Sequence, residues 1–177
     1  MKKQNINSKE GFTIIEVVLV LAIAGLIFLM VFIALPALQR SQRDTQRRDD
    51  MARFLSQLNQ YQANNAGRVP AADTGGYNTF IANYLRVQKT DAGGTATDED
   101  QFVDPSGQNY QAGSVTVCTA GENGCQQASQ NDDYKTGSIR IYTNATCEGE
   151  NPTYIQGDRK VAITYKLEGA GIYCGNS

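Results

Sequence analysis

From residue 12 to residue 38 the chain is almost unbroken hydrocarbon, and beyond it hydrophobic positions come only in short, spaced groups. The first stretch, FTIIEVVLVLAIAGLIFLMVFIALPAL, holds nineteen large apolar side chains and one charged residue, Glu16. A run of this length can cross a bilayer as a helix, for which about 20 residues suffice. An ordinary secretory signal has an apolar core of only about 7–15 residues before a small-x-small cleavage site. This core is longer, and Ala34-Leu35-Pro36-Ala37 imitates such a site poorly. Ahead of it, MKKQNINSKEG is short, polar and basic through Lys2, Lys3 and Lys9.

After Pro36 the run QRSQRDTQRRDD carries charges of both signs, read as a solvated collar at the membrane edge. Leu38, Met51, Phe54, Leu55, Leu58 and Tyr61 follow at the spacings of an amphipathic helix. Asn64-Asn65-Ala66-Gly67 reads as its end, with Gly67 as the C-terminal cap. A helix from Phe12 to about Ala66 would be ~80 Å long at about 1.5 Å per residue.

The remainder alternates loops and short strands. Residues 79–85 suit a short helix, and residues 114–118, 138–143, 160–167 and 170–174 suit strands. Val161, Ile163, Tyr165 and Leu167 alternate with polar or small residues, as in a half-buried strand. Glu168-Gly169-Ala170-Gly171 turns that strand into the last one, and Asp104-Pro105-Ser106-Gly107 is a β-turn sequence. The expected architecture is α+β: a long N-terminal helical spine, half of it transmembrane, packed against a small antiparallel sheet of three or four strands. Residues 89–100 hold four acids but no EF-hand spacing, so a mobile surface loop is expected rather than a calcium site. Asn144-Ala145-Thr146 satisfies a glycosylation sequon and is read as a chance occurrence.

A chain of 177 residues has room for one globular domain, and a net charge of −2 with no basic patch gives no nucleic-acid site. There is no histidine and no CxxC pair, so no zinc, haem or other cofactor is expected. With no phosphate loop, nucleophile elbow or metal cluster, the chain does not read as an enzyme. Cys118, Cys125, Cys147 and Cys174 form an even set behind a membrane-targeting segment, which favours disulfides made outside the cytoplasm. Three connectivities are open to them. The pairing expected is Cys118–Cys125, closing CTAGENGC, with Cys147–Cys174 tying a strand to the C-terminal end.

The string Gly11-Phe12-Thr13-Ile14-Ile15-Glu16 resembles the processing site of type IV prepilins and type II secretion pseudopilins, and the likeness extends over residues 2 to about 66. The resemblance implies a leader, residues 1–11, cut after Gly11 by a prepilin peptidase. It also implies that Phe12 becomes an N-methylated terminus and that Glu16 governs subunit joining. Residues 12–37 would be the membrane and filament-core helix, 38–66 its amphipathic continuation and 67–177 a β-rich head. The implied life history is a single-pass precursor in the cytoplasmic membrane, leader inside, which the pilus assembly machinery converts into a surface filament of identical copies. Such filaments serve adhesion, twitching motility or DNA uptake. A major pilin is expected ahead of a minor pilin or a pseudopilin; a single-pass anchored binding protein is the competing reading. The family's usual helix proline lies about three positions earlier than Pro36, so any proline kink is shifted outward. The family also suggests local melting between Gly25 and Pro36 during assembly and closure of the C-terminal region by Cys147–Cys174; the alternative to a solvated collar in the charged run is salt bridges between subunits of the filament. Asp104-Pro105-Ser106-Gly107 followed by Tyr110 is similar to a loop of major pseudopilins.

Physical chemistry gives these expectations content. A carboxylate in hydrocarbon is costly, and residues like Glu16 within membrane helices are usually functional. Paired with the Phe12 amine of a neighbouring copy at about 4 Å, it would gain roughly 4 kcal/mol at an effective dielectric near 20, before desolvation. The nineteen apolar side chains would cost roughly 30–55 kcal/mol if left in water, at about 1.5–3 kcal/mol each. Transfer from lipid to a bundle of like helices changes that term little. The helix therefore has two tolerable homes, bilayer and helical bundle.

Overall fold

The apolar run and the amphipathic stretch after it fold as one element, helix α1, Ile14–Asn64. The computed structural model describes residues 11–85, 88–90, 96–98, 102–120, 125, 137–157, 159–169 and 171–177. Within α1 the helix is continuous through both Gly25 and Pro36 in the single chain. Its end is set by backbone conformation. Ala66 and Gly67 both take positive φ, 55° and 79°, and the Gly67 N–H returns to the Gln62 carbonyl at 2.7 Å. Gly67 is thus the cap the sequence anticipates, because a left-handed residue favours glycine.

The chain divides into two units, one reaching Gln39 and the other Arg40–Ser177. In the first, every one of the nineteen large apolar side chains is exposed, from 44% at Val31 to 89% at Phe12. Leu38, placed by its spacing on the core stripe, belongs to this exposed set.

In the second unit Met51, Phe54, Leu55 and Leu58 of α1 are buried. They pack with Tyr77, Phe80, Phe102, Tyr110, Ile139, Ile163 and their neighbours in one core. Aromatic edges meet faces there, Phe54 against Phe80 at 5.4 Å and Tyr110 against Tyr165 at 5.5 Å. Helix α2, Thr74–Phe80, starts ahead of the expected short helix because Asp73 caps it, accepting from the Gly76 N–H at 2.6 Å. A π-helical turn, Ile81–Leu85, completes that segment.

Among the described residues eight strands follow: β1 Gln88–Thr90, β2 Ala96–Asp98, β3 Gln111–Val117, β4 Ser138–Thr143, β5 Ala145–Glu148, β6 Asn151–Tyr154, β7 Val161–Lys166 and β8 Ile172–Asn176. The main sheet has the order β3-β4-β7-β8, and β5-β6 and β1-β2 are two-stranded. The fold is α+β as expected, with one correction: β3 and β4 run parallel while β4-β7 and β7-β8 are antiparallel. A parallel pair needs a long crossover, and the twenty residues between Val117 and Ser138 supply one.

Strand β7 also departs from the half-buried reading, since Val161 through Tyr165 are all buried. Its large side chains join the α1 core, while Ala162 packs in a second cluster with Cys118, Tyr142 and Ala145. Alternation along β7 is therefore in side-chain size, because a central strand is covered on both faces. The expected loop at 89–100 holds the short β1-β2 ladder instead. The side chains weighed there for calcium lie outside the described residues.

Candidate functional site

Three features bear on function, and the first is the start of α1. The Thr13 hydroxyl accepts from the Glu16 N–H at 3.4 Å, and Glu16 Oε2 accepts from the Thr13 N–H at 2.9 Å and the Thr13 hydroxyl at 2.7 Å. This is a reciprocal capping box, Thr-x-x-Glu, which satisfies helix-end donors that have no intrahelical partner. Glu16 thus has a role inside its own chain that the sequence reading missed, although the Thr13…Glu16 spacing made it legible. One oxygen takes both bonds, which leaves Oε1 without a partner among the described residues. Phe12 is 89% exposed and nothing approaches within 4 Å of the position a Cβ on Gly11 would take. Gly11, Phe12 and Glu16 therefore stand together on one accessible turn.

The second feature is the apolar surface behind them. Its most hydrophobic 18-residue window has a mean hydropathy of 3.2 and is 0% buried. Among the described residues, this one helix is long and apolar enough to cross a membrane. No Cβ at Gly25 would meet an atom within 4 Å, so this glycine is not dictated by packing inside the chain.

The third feature lies within the charged run: most of residues 39–50 are exposed, as a solvated collar requires, but Asp44 and Arg47 are buried. Arg47, only 2% exposed, is the hub of a buried network. It grips Asp104 with two bonds, Nε to Oδ2 at 2.6 Å and Nη2 to Oδ1 at 3.0 Å, and reaches Glu168 at 2.8 Å and Asp44 at 3.0 Å. Asp44 in turn accepts from the backbone N–H groups of Glu168 and Gly169, and Arg43 chelates Glu168 from outside. The Tyr165 hydroxyl donates to Asp104 at 2.7 Å and accepts from the Gly137 N–H at 2.9 Å. Three parts of the second unit are thereby bound together: α1 near residue 44, the 102–110 loop and the β7-β8 turn. The expected Asp104-Pro105-Ser106-Gly107 turn is present, closed by the Gly107 N–H on the Asp104 carbonyl at 2.7 Å.

Electrostatics follow from this geometry. Burial alone would raise the Asp104 pKa, but hydrogen bonds from Arg47, Ser106 and Tyr165 hold its carboxyl well below the usual range. The Arg43 hydrogen bond, with Arg47 behind it, lowers Glu168 to about 2. Asp50, which accepts from the Tyr110 hydroxyl at 3.1 Å, is pushed up by burial. The charges are neutralised within the chain, so Arg43, Asp44 and Arg47 act as structural ties.

Both expected disulfides form, Cys118–Cys125 and Cys147–Cys174. Their four cysteines gather around the second cluster, against Tyr142 and Ala162. Asn144 of the sequon occupies the corner between β4 and β5 at φ 57°, a left-handed conformation that asparagine tolerates. Its carbonyl accepts from the Ile155 N–H at 2.9 Å, so turn geometry accounts for the residue. Among the described residues no group of three or more His, Cys, Asp or Glu side chains is arranged to hold a metal ion. Comparisons with models of known families, with curated proteins and with solved structures find no match.

Proposed function

We propose that this chain is the precursor of a type IV pilin-like filament subunit. Its leader is cut after Gly11, and its α1 helix passes from the membrane into the core of a helical filament of identical copies. The observation that carries the proposal is the pairing of Gly-Phe-Thr-Ile-Ile-Glu with a helix whose nineteen large apolar side chains are all uncovered in the single chain. Such a surface is intolerable in water and needs lipid or like helices around it. No catalytic constellation is invoked: the chemistry is a peptidase cut, methylation of Phe12 and packing of copies. Prepilin peptidase and the pilus assembly machinery are the partners, and assembly as a major pilin is preferred over a minor pilin or pseudopilin role. The filament would serve adhesion, twitching motility or DNA uptake.

Glu16 is compatible with this role. An intrachain capping box explains a threonine and a glutamate three residues apart, and its open Oε1 leaves room for a second bond to a neighbour's amine. Mass spectrometry of the mature N-terminus is the direct test. N-methyl-Phe12 is expected, and an intact Met1 on chain that stays in the membrane would instead identify a tethered binding protein. Electron microscopy of sheared surface material then separates an abundant fibre from a minor component.

A further inference from the structure

Two exposed groups of opposite charge, a pair of arginines and a pair of glutamates, lie toward opposite ends of the Arg40–Ser177 unit, each without an ion pair among the described residues. At one end, a cleft of about 550 Å³ beside the C-terminal end of α1 is lined by Ala66, Gly67, Arg68, Val69 and Arg159. Arg68 and Arg159 are exposed, and among the described residues no carboxylate lies within ion-pair distance of either. Asp158 lies outside the described residues. The Arg159 guanidinium is laid over Gly67, 2.9 Å from where a Cβ would sit, and the Arg159 carbonyl accepts from Gln62 Nε2 at 2.8 Å. These arginines offset the negative end of the α1 dipole, yet their outer edges stay open to solvent.

At the other end, the turn of the β5-β6 hairpin presents Glu148 and Glu150, both exposed and without an ion pair among the described residues. Glu150 Oε1 lies 2.8 Å from where a Cβ on Gly171 would sit, beside the β7-β8 turn whose N–H groups are tied to Asp44. The exposed Lys166 nearby pairs with neither glutamate. Between Asp44 and Gln62 a helix rises about 27 Å at 1.5 Å per residue. The acidic turn and the basic cleft are therefore too far apart to meet within one copy.

We infer that the Arg68/Arg159 cleft receives the Glu148/Glu150 turn of a second copy of this chain. This inference rests on the filament reading and extends it to the heads. A contact that joins one end of a unit to the opposite end of the next is heterologous, and such contacts propagate into open filaments when rotation does not close a ring. Complementary charge also fixes register and rejects wrong neighbours, since like charges brought together are penalised.

The test uses the full, processed chain in cells that display the wild-type filament. The paired reversals R68E/R159E and E148K/E150K are made separately and together, and sheared filament is measured against membrane-held chain. Each pair alone is expected to lower that ratio about tenfold or more, and the four changes together to restore most of it, as a charge-swap cycle requires. Near-UV circular dichroism of detergent-extracted chain checks that each variant keeps its folded head. As a second measurement, R159K filaments treated with a carbodiimide should yield a crosslink from position 159 to Glu148 or Glu150 of another copy. Unchanged filament yield in the single pairs, a combined variant no better than either pair, or absence of that crosslink would each overturn the inference. Absence of filaments from the wild-type chain itself would sink the filament reading instead.

Discussion

Replacing Arg47 with alanine removes the cation at the centre of three ion pairs and leaves Asp104, whose side chain is 0% exposed, without its bidentate partner. Breaking a buried pair from one side costs roughly 3–5 kcal/mol, because the remaining charge is stranded away from water. For a unit of roughly 140 residues, each kcal/mol corresponds to about 3–4 °C, so the melting temperature should fall about 9–20 °C. Near-UV circular dichroism of the processed chain in detergent is a suitable assay. All nine tyrosines lie beyond residue 60 and there is no tryptophan, so the signal reports the second unit. The neighbouring Arg48, exposed and outside the network, is the control, and its alanine variant should stay within about 0.5 kcal/mol of wild type. R47M/D104N should be less destabilised than the two single changes summed, since both partners of the pair are then neutral. An R47A midpoint within about 3 °C of wild type, or equal effects at 47 and 48, would refute the buried hub and leave Arg47 as solvated as the rest of the charged run.

Glu16→Gln retains a side chain able to complete the capping box but not the charge. It should therefore be processed and inserted normally yet assemble poorly, as should Glu16→Ala; normal filament yield from the glutamine variant would exclude a charge-pairing role. Asp104 and Glu168 are held below their ordinary values, so the stability they contribute is present above those values and drains away as pH falls. For Glu168 the window runs from 4.5 down to about 2. Melting between pH 6 and pH 2.5 should show a steeper decline for the native chain than for D104N or E168Q, and parallel curves would count against the network. Among the disulfides, Cys147–Cys174 spans 27 residues and Cys118–Cys125 spans 7. Their loss should cost about 3.5 and about 2.5 kcal/mol on the chain-entropy estimate, read from the melting of the serine variants.

Much of this protein is local and was readable from residue order alone. An apolar run of 27 residues dictates a helix that shuns water, Gly67 stops the continuation where a positive φ is needed, and the 138–143 pattern coincides with β4. The Thr13…Glu16 cap is equally local, a Thr-x-x-Glu spacing at the head of the apolar run. What the tertiary structure alone decided is everything that depends on distant partners. Arg47 and Arg48 are adjacent and chemically identical, yet one is buried and the other exposed, because the carboxylates that tie Arg47 come from 57 and 121 residues away. The parallel β3-β4 pair and the burial of both faces of β7 likewise follow from which segments meet in space. Periodicity records which side of an element is apolar, whereas ion-pair partners and strand direction are set by chain closure over long separations, and no local pattern encodes them.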